Sequence, residues 1–275
     1  MPELPEVETT RRYLAPVVEG ALIDGVEVRR DRMARRNQRP SDVSERMTGR
    51  RVLRLGRRGK FLIGDLEGGI TWVSHLGMSG RFSIAAPDAP EAPHTNVVIH
   101  LCTRPQVRLV DPRMFGFVAA FTPDELDHAL AAVGPDALDA LPRTARLQQA
   151  LERRTAPIKA LLLDQHLVAG LGNIYADEVL HRARVAPQRP GGSLDAAEVA
   201  AVRAAIGVVL RAGLRYGGTS LDDLAYLLPD GRRGDYLSRL AVYGREGEQC
   251  RRCGGVVERV VVRGRSSHWC RGCQQ

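Results

Sequence analysis

Two Cys-x-x-Cys pairs close the chain, "CRRC" at Cys250–Cys253 and "CRGC" at Cys270–Cys273. Each tight turn can present two thiolates to one metal, and two facing turns complete a closed tetrahedral site. At this spacing the pairs predict one structural Zn²⁺ held by Cys250, Cys253, Cys270 and Cys273. The residues between them, "VVERVVVRGRSSHW", read as strand, turn and strand, so the terminal element is expected to be a zinc ribbon. Two disulfides would use the same cysteines, but a reducing cytosol disfavours them. Cys102, in "VVIHLC", is expected to be a small buried hydrophobe.

The other end is unusual in a different way. "MPELPEVETT" crowds two prolines and three glutamates into the first eight residues. Pro5 suits the first position of a helix, where its missing N–H costs nothing. Glu6 and Glu8 then face the positive end of the helix dipole, and Val7, Leu14, Val17 and Val18 make one apolar face. An amphipathic helix over Pro5–Val18, ending near Gly20, follows. Pro2 and Glu3 are left without a structural reason. Methionine is generally removed before a small second residue, which turns Pro2 into a terminal secondary amine. Such an amine can attack a sugar C1′, expel the leaving group and form an iminium. Glu3 stands beside it as a general acid or base.

At 275 residues and 44% hydrophobic content the chain can bury a full core, in two domains or more. It has no apolar run long enough for a membrane span and no signal-peptide pattern, so a cytoplasmic location is expected. A net charge of +8 and a pI of 9.7 point to a polyanionic partner, with nucleic acid favoured over charge kept for solubility alone. All but two of the 40 basic residues are arginine; the two lysines are Lys60 and Lys159. Biased base composition explains the arginines. An amine that survives it is a candidate for work a guanidinium cannot do, such as giving up a proton.

From Ile23 to Phe121 short β-branched and aromatic runs alternate with Gly, Pro and Asp, which predicts a β-sandwich or barrel. "TPDELDHALAAVG" reads as a short helix and "GPDALDALP" as a connection between domains. Helical periodicity then takes over in "LQQALERR", "APIKALLLDQ", "IYADEVLHRA" and "LDAAEVAAVRAAIGVVLRAGLR". "HLVAGLGN" is a glycine-bearing turn between two of these helices.

Six separated stretches, in order from end to end, carry a resemblance. "PELPEVETT", "RRGKFL", "SHLGMSG", "DPRMFGF", "GLGNIYADEVL" and the four-cysteine element are similar to bacterial formamidopyrimidine-DNA glycosylases. The resemblance implies an α+β multidomain protein. Residues 1–135 form a catalytic β-sandwich with flanking helices, 145–240 a helix–two-turn–helix DNA-binding domain and 241–275 the zinc ribbon, with double-stranded DNA in the cleft between them. It implies a base-excision enzyme, expected to be a monomer, that removes 8-oxoguanine and formamidopyrimidines. Strand cleavage at the abasic site follows by β,δ-elimination.

Residue by residue, the resemblance makes Pro2 the nucleophile and Glu3 the proton-transfer group. Lys60 matches a hairpin lysine that contacts phosphate and assists elimination; otherwise it is a solvated hairpin charge. Arg265 matches a ribbon arginine gripping the phosphates at the lesion. Met78, Arg113 and Phe115 match the residues that fill the gap left by the flipped base; read plainly, Met78 and Phe115 could be core strand residues. Asn173, otherwise a helix cap, matches a phosphate contact. Lys159, otherwise a helix-surface charge, matches a lysine on the DNA face. His94 and Arg154 align with further DNA contacts. In "TSLDDLAYLLPDGRRGDYLSRL", where the family loop covers the flipped base, no residue matches individually. Two other readings stay open. A non-catalytic zinc-ribbon DNA-binding protein leaves Pro2, Glu3 and Lys60 unexplained. Specificity for oxidised pyrimidines usually accompanies Gly where this chain has Leu4.

Overall fold

The opening helix forms where its proline allows. Helix α1 spans Leu4–Val18, with Glu3 at its N-cap and Pro5 in its first turn. Leu4, Val7, Leu14 and Val18 make its buried face, and Gly20, at φ +73°, carries the chain away beyond its end. The computed structural model describes residues 2–221 and 226–275. They divide into two units: one runs to Ala131 and takes in Tyr216–Leu237, the other comprises Ala132–Arg215 and Ser238–Gln275.

The first unit is the expected sandwich. One antiparallel sheet has β1 (Ile23–Val28), β6 (Thr95–Leu101), β7 (Gln106–Val110) and β5 (Arg81–Ala85) in the order β1-β6-β7-β5. The other runs β2 (Val52–Arg58), β3 (Phe61–Leu66), β4 (Thr71–His75), β8 (Phe117–Phe121). Val97, Ile99 and Leu109 from the first sheet meet Leu55, Leu62 and Trp72 from the second, and Val7 and Leu14 of α1 join this core. Helix α2 (Ser41–Met47), which carried no periodic signal in the sequence, adds Val43 and Met47. The far side of the second sheet buries Val73, Ala119 and Phe121 with Leu126 of α3 (Pro123–Leu130), a helix capped by Thr122.

The strand register decides where the loops emerge. Phe61 pairs with His75, and His75 with Phe117, in one row across β3, β4 and β8. Because these strands are antiparallel, the turn entering β3, the loop leaving β4 and the loop entering β8 emerge at the same end of the sheet. Those three segments carry Lys60, Met78, and Arg113 with Phe115.

The second unit is helical, with α4 (Thr144–Leu151), α5 (Ile158–Leu163), α6 (Asn173–Ala183) and α7 (Ala196–Arg215). Gln165 knits the turn between α5 and α6: its amide donates to the Leu163 and Leu171 carbonyls and accepts the Gly170 N–H. Tyr175 lies so close to α7 that a side-chain carbon on Gly213 would sit 2.6 Å from its hydroxyl. Strands β9 (Val257–Val262) and β10 (Arg265–Cys270) pair as the ribbon hairpin. No helix among the described residues is long and apolar enough to cross a membrane.

One segment departs from the domain limits read from sequence. Residues 216–237, expected within a 145–240 helical domain, cluster with the sandwich instead. The Glu6 carboxylate is one reason, since its Oε1 accepts the Thr219 N–H at 2.7 Å. The Pro229 carbonyl, which accepts the Ile84 N–H at the edge of the first sheet, is another. Residues 222–225 of the loop at 218–240 lie outside the described residues.

Candidate functional site

The three glutamates of the opening stretch do separate jobs. Glu3 is 2% exposed and holds an extended backbone at the helix N-cap. Its N–H donates to Glu6 Oε2 at 2.8 Å, which fixes the backbone next to Pro2. Glu6 thus spans from the chain start to Thr219. Glu8 faces the hairpin: it accepts Arg11 and Arg12 of its own helix and Arg57 of β2. Burial opposes ionisation there, yet the three guanidinium groups hold the Glu8 carboxyl below its usual range. Arg57 also donates to the Gly59 carbonyl at 3.0 Å, so α1 and the turn before β3 are tied together.

Lys60 occupies that turn with Gly59, whose φ of +57° a two-residue hairpin requires. It is only 6% exposed. A solvated hairpin charge is therefore excluded: this amine is buried at a loop tip. His75 lies in the adjacent row position, and Phe61 and Phe117 pack against its ring at centroid distances of 5.0 and 6.0 Å. Desolvation, with Lys60, Arg35 and Arg36 nearby, lowers its pKa to about 4, so the imidazole is neutral near pH 7. Its Nδ1 accepts the Gly77 N–H at 2.9 Å, leaving the single ring proton on Nε2.

The next two loops form one structure. Asp111 is fully buried; its Oδ1 accepts the Ser79 hydroxyl at 2.6 Å and the Arg113 N–H, and its Oδ2 accepts the Gly116 N–H at 2.7 Å. Gly77, at φ +61°, lies against the backbone of Phe115 and Gly116 so closely that any side chain would collide with it. Arg35 donates to the Phe115 and Gly116 carbonyls from behind. With their backbones locked, Met78 and Phe115 remain 36% and 44% exposed, and Arg113 bonds the Met78 carbonyl. They are exposed tips rather than core strand residues.

In the second unit a polar stripe on α6 organises the ribbon. Asn173 Nδ2 lies 3.3 Å from Ser266 Oγ. Asp177 Oδ2 accepts the His268 N–H at 2.8 Å, and its Oδ1 lies 2.7 Å from Lys159 Nζ. Glu178 accepts the N–H groups of Ala241, Val242 and Tyr243. The hairpin turn Arg263–Gly264 has positive φ at both residues, which leaves Arg265 exposed as β10 begins.

The cysteines test whether a metal fits. The four Sγ atoms lie within 4.8 Å of one another, with Cys250–Cys273 at 3.7 Å and Cys253–Cys270 at 3.5 Å. A tetrahedron with Zn–S bonds of about 2.3 Å has edges of about 3.8 Å, so the set matches zinc. The Gly255 N–H, with the other cysteines, lowers the Cys253 thiol to about 7, whereas burial and the neighbouring sulfurs push Cys273 up to about 12. A divalent cation among them removes that conflict and leaves four thiolates. All four positions are filled by protein sulfur, so the zinc is structural.

Comparison with known proteins agrees along the whole length. Family models match in order: "Formamidopyrimidine-DNA glycosylase N-terminal domain" over residues 1–118, "Formamidopyrimidine-DNA glycosylase H2TH domain" over 133–224 and "Zinc finger found in FPG and IleRS" over 247–275. The formamidopyrimidine-DNA glycosylase of Ruegeria pomeroyi is 44% identical over 271 residues, covering 94% of each chain. The chain belongs to the formamidopyrimidine-DNA glycosylase family. The crystal structure of the Thermus thermophilus member aligns with a TM-score of 0.88 at 43% identity, covering 99% of this chain and 98% of that one. The Lactococcus lactis member in complex with DNA containing an abasic site aligns at 0.90 with 33% identity, covering 99% of each.

The residues that sequence reading marks for this glycosylase chemistry fare differently. Pro2, Glu3, Lys60, Met78, Arg113 and Phe115 all belong to the sandwich unit. His94, at φ +64°, lines an open depression of about 780 Å³ with Arg29, Arg30 and Asn96. Asn173 and Arg265 belong to the helical unit, as does Arg154, exposed after α4. Lys159 is corrected. It is 0% exposed, paired with Asp177 and donating to the Ser266 carbonyl at 2.5 Å, so it braces the ribbon from inside rather than standing on the helix surface. Cys102 is also partly exposed rather than buried. His75, Asp111, Glu178 and His181 were not singled out from the sequence. His75 and Asp111 do lie within the quoted "SHLGMSG" and "DPRMFGF", and Glu178 and His181 lie in or beside "GLGNIYADEVL". Only the contacts reveal what they do.

Proposed function

We propose that this family member removes 8-oxoguanine and formamidopyrimidines from double-stranded DNA and cleaves the abasic site by β,δ-elimination. It would act as a monomer in the cytoplasm, with residues 1–135 and the 216–237 segment on the catalytic side, and residues 145–215 and 238–275 binding DNA. The observation that carries this reading is the buried Lys60 amine sharing one sheet end with the exposed tips Met78, Arg113 and Phe115. A non-catalytic DNA-binding protein has no use for a desolvated amine beside a wedge.

In this mechanism the Pro2 nitrogen attacks C1′ as the base departs, and Glu3 handles the protons of both base loss and sugar-ring opening. Loss of a C2′ proton from the iminium expels the 3′ phosphate, and a second elimination expels the 5′ phosphate. Lys60 and the His75 Nε2–H are the donors for the phosphates around the reacting sugar, and Arg265 is the ribbon's own phosphate contact. Met78, Arg113 and Phe115 occupy the gap in the duplex. Asn173 has its Oδ1 buried without a hydrogen-bond partner. Rotating the amide lets the oxygen accept from the Ser266 hydroxyl and frees its N–H groups for a phosphate.

Borohydride with 8-oxoguanine DNA should trap a covalent adduct, and mass spectrometry should find it on the N-terminal peptide. Undiminished adduct in a Pro2→Gly protein with a blocked terminus would sink the reading. Lys60→Arg keeps the charge but brings a bulkier planar group that holds its proton. That variant should bind lesion DNA tightly, with wild-type salt dependence, yet be slowed at least about tenfold in single-turnover cleavage of a preformed abasic site. Wild-type rates would mean that Lys60 serves only as a positive charge.

A further inference from the structure

The helix that carries the phosphate-binding turn also reaches the zinc centre. His181 lies on α6 one turn beyond Asp177 and two beyond Asn173, on the same face of the helix. It is 3% exposed, and its Nε2 lies 3.3 Å from Cys250 Sγ. Its backbone carbonyl accepts Arg252 Nη1 at 2.7 Å, and Arg252 belongs to the turn between Cys250 and Cys253. Arg252 also reaches the Arg182 carbonyl at 3.4 Å, which places a cation at the negative end of α6. The second cysteine turn is fastened to the same helix end, where Gln274 donates to the Val185 carbonyl and the Gln275 N–H to that of Arg184.

We infer that His181 belongs to the second coordination sphere of the zinc, donating its Nε2–H to the Cys250 thiolate and fixing the first cysteine turn on helix α6. The direction of the bond follows from the metal: a zinc-bound sulfur carries no proton, so the imidazole must be the donor. Such a bond draws charge from the thiolate and sets the direction of its lone pairs. Asn173, Asp177 and His181 then form one stripe that holds β10 and the metal in a fixed relation. Retention of zinc and the placement of Arg265 become parts of one structure.

Purified zinc-loaded full-length protein provides the test. His181→Phe keeps an aromatic ring and removes the donor. Zinc affinity, read by competition with a chromogenic chelator, should fall by roughly ten- to a hundredfold, the usual scale for losing such a partner. Unchanged affinity in a folded His181→Phe protein overturns the inference. Substituting ¹¹³Cd for zinc in the wild-type protein gives a second measurement that depends on no variant's folding. A scalar coupling from the His181 Nε2 proton to cadmium supports the bond, and its absence from a resolved spectrum refutes it.

Discussion

Glu3→Gln is expected to lower single-turnover excision of 8-oxoguanine by at least about a hundredfold, the scale typical of a lost acid–base group, while lesion DNA still binds. Glutamine keeps the size of the side chain but cannot transfer a proton. The backbone should not move, because the Glu3 N–H is held by Glu6 and the first helical turn is set by Pro5. A preformed abasic site offers a sharper comparison. Its base has already gone, so a group needed for base departure matters less there, and cleavage should fall by a smaller factor than excision. Equal losses on both substrates would assign Glu3 to the sugar chemistry alone. Full excision activity would remove it from the mechanism.

Lys159→Met should destabilise the helical unit by about 3–5 kcal/mol, the cost of leaving a buried charge without its partner. Lys159 and Asp177 are both fully buried and 2.7 Å apart, and each holds a different residue of β10, Ser266 or His268. Denaturant unfolding measures the loss. Adding Asp177→Asn should recover part of it, because the stranded carboxylate is then gone, although the His268 N–H keeps an acceptor in the amide oxygen. DNA affinity should fall as well, through movement of β10 and Arg265. A lysine acting directly on phosphate predicts the opposite pattern, with unchanged stability and a salt dependence of binding reduced by about one phosphate contact. That outcome would restore the reading taken from sequence.

Much of this protein was legible before any fold was known, and in each case the reason is local. Cysteines at fixed spacing, a proline in the first helical turn and the helical run "TPDELDHALAAVG" act within a few residues of themselves. The zinc ribbon, α1 and α3 therefore form where the sequence places them, and the short β-branched and aromatic runs from Ile23 to Phe121 point to a sandwich or barrel, of which the chain forms the sandwich. The short helix α2 escaped because its seven residues carry too little periodicity to be heard.

The two lysines mark the boundary. Scarcity singled out both Lys60 and Lys159, and scarcity cannot tell a working amine from a structural one. Burial does not separate them either, since both are out of solvent; their places in the fold do. Lys159 meets Asp177, a carboxylate eighteen positions on that no spacing rule connects to it. Lys60 lies at a hairpin tip beside His75, at the sheet end where Met78, Arg113 and Phe115 emerge. Sequence by itself determined the chemistry available: a proline at position 2 beside a carboxylate, two amines among arginines, and four thiols for one zinc. Tertiary structure alone decided which groups share a site, because strand register and buried ion pairs join residues far apart in the chain, and their energies depend on desolvation that exists only once the core has closed.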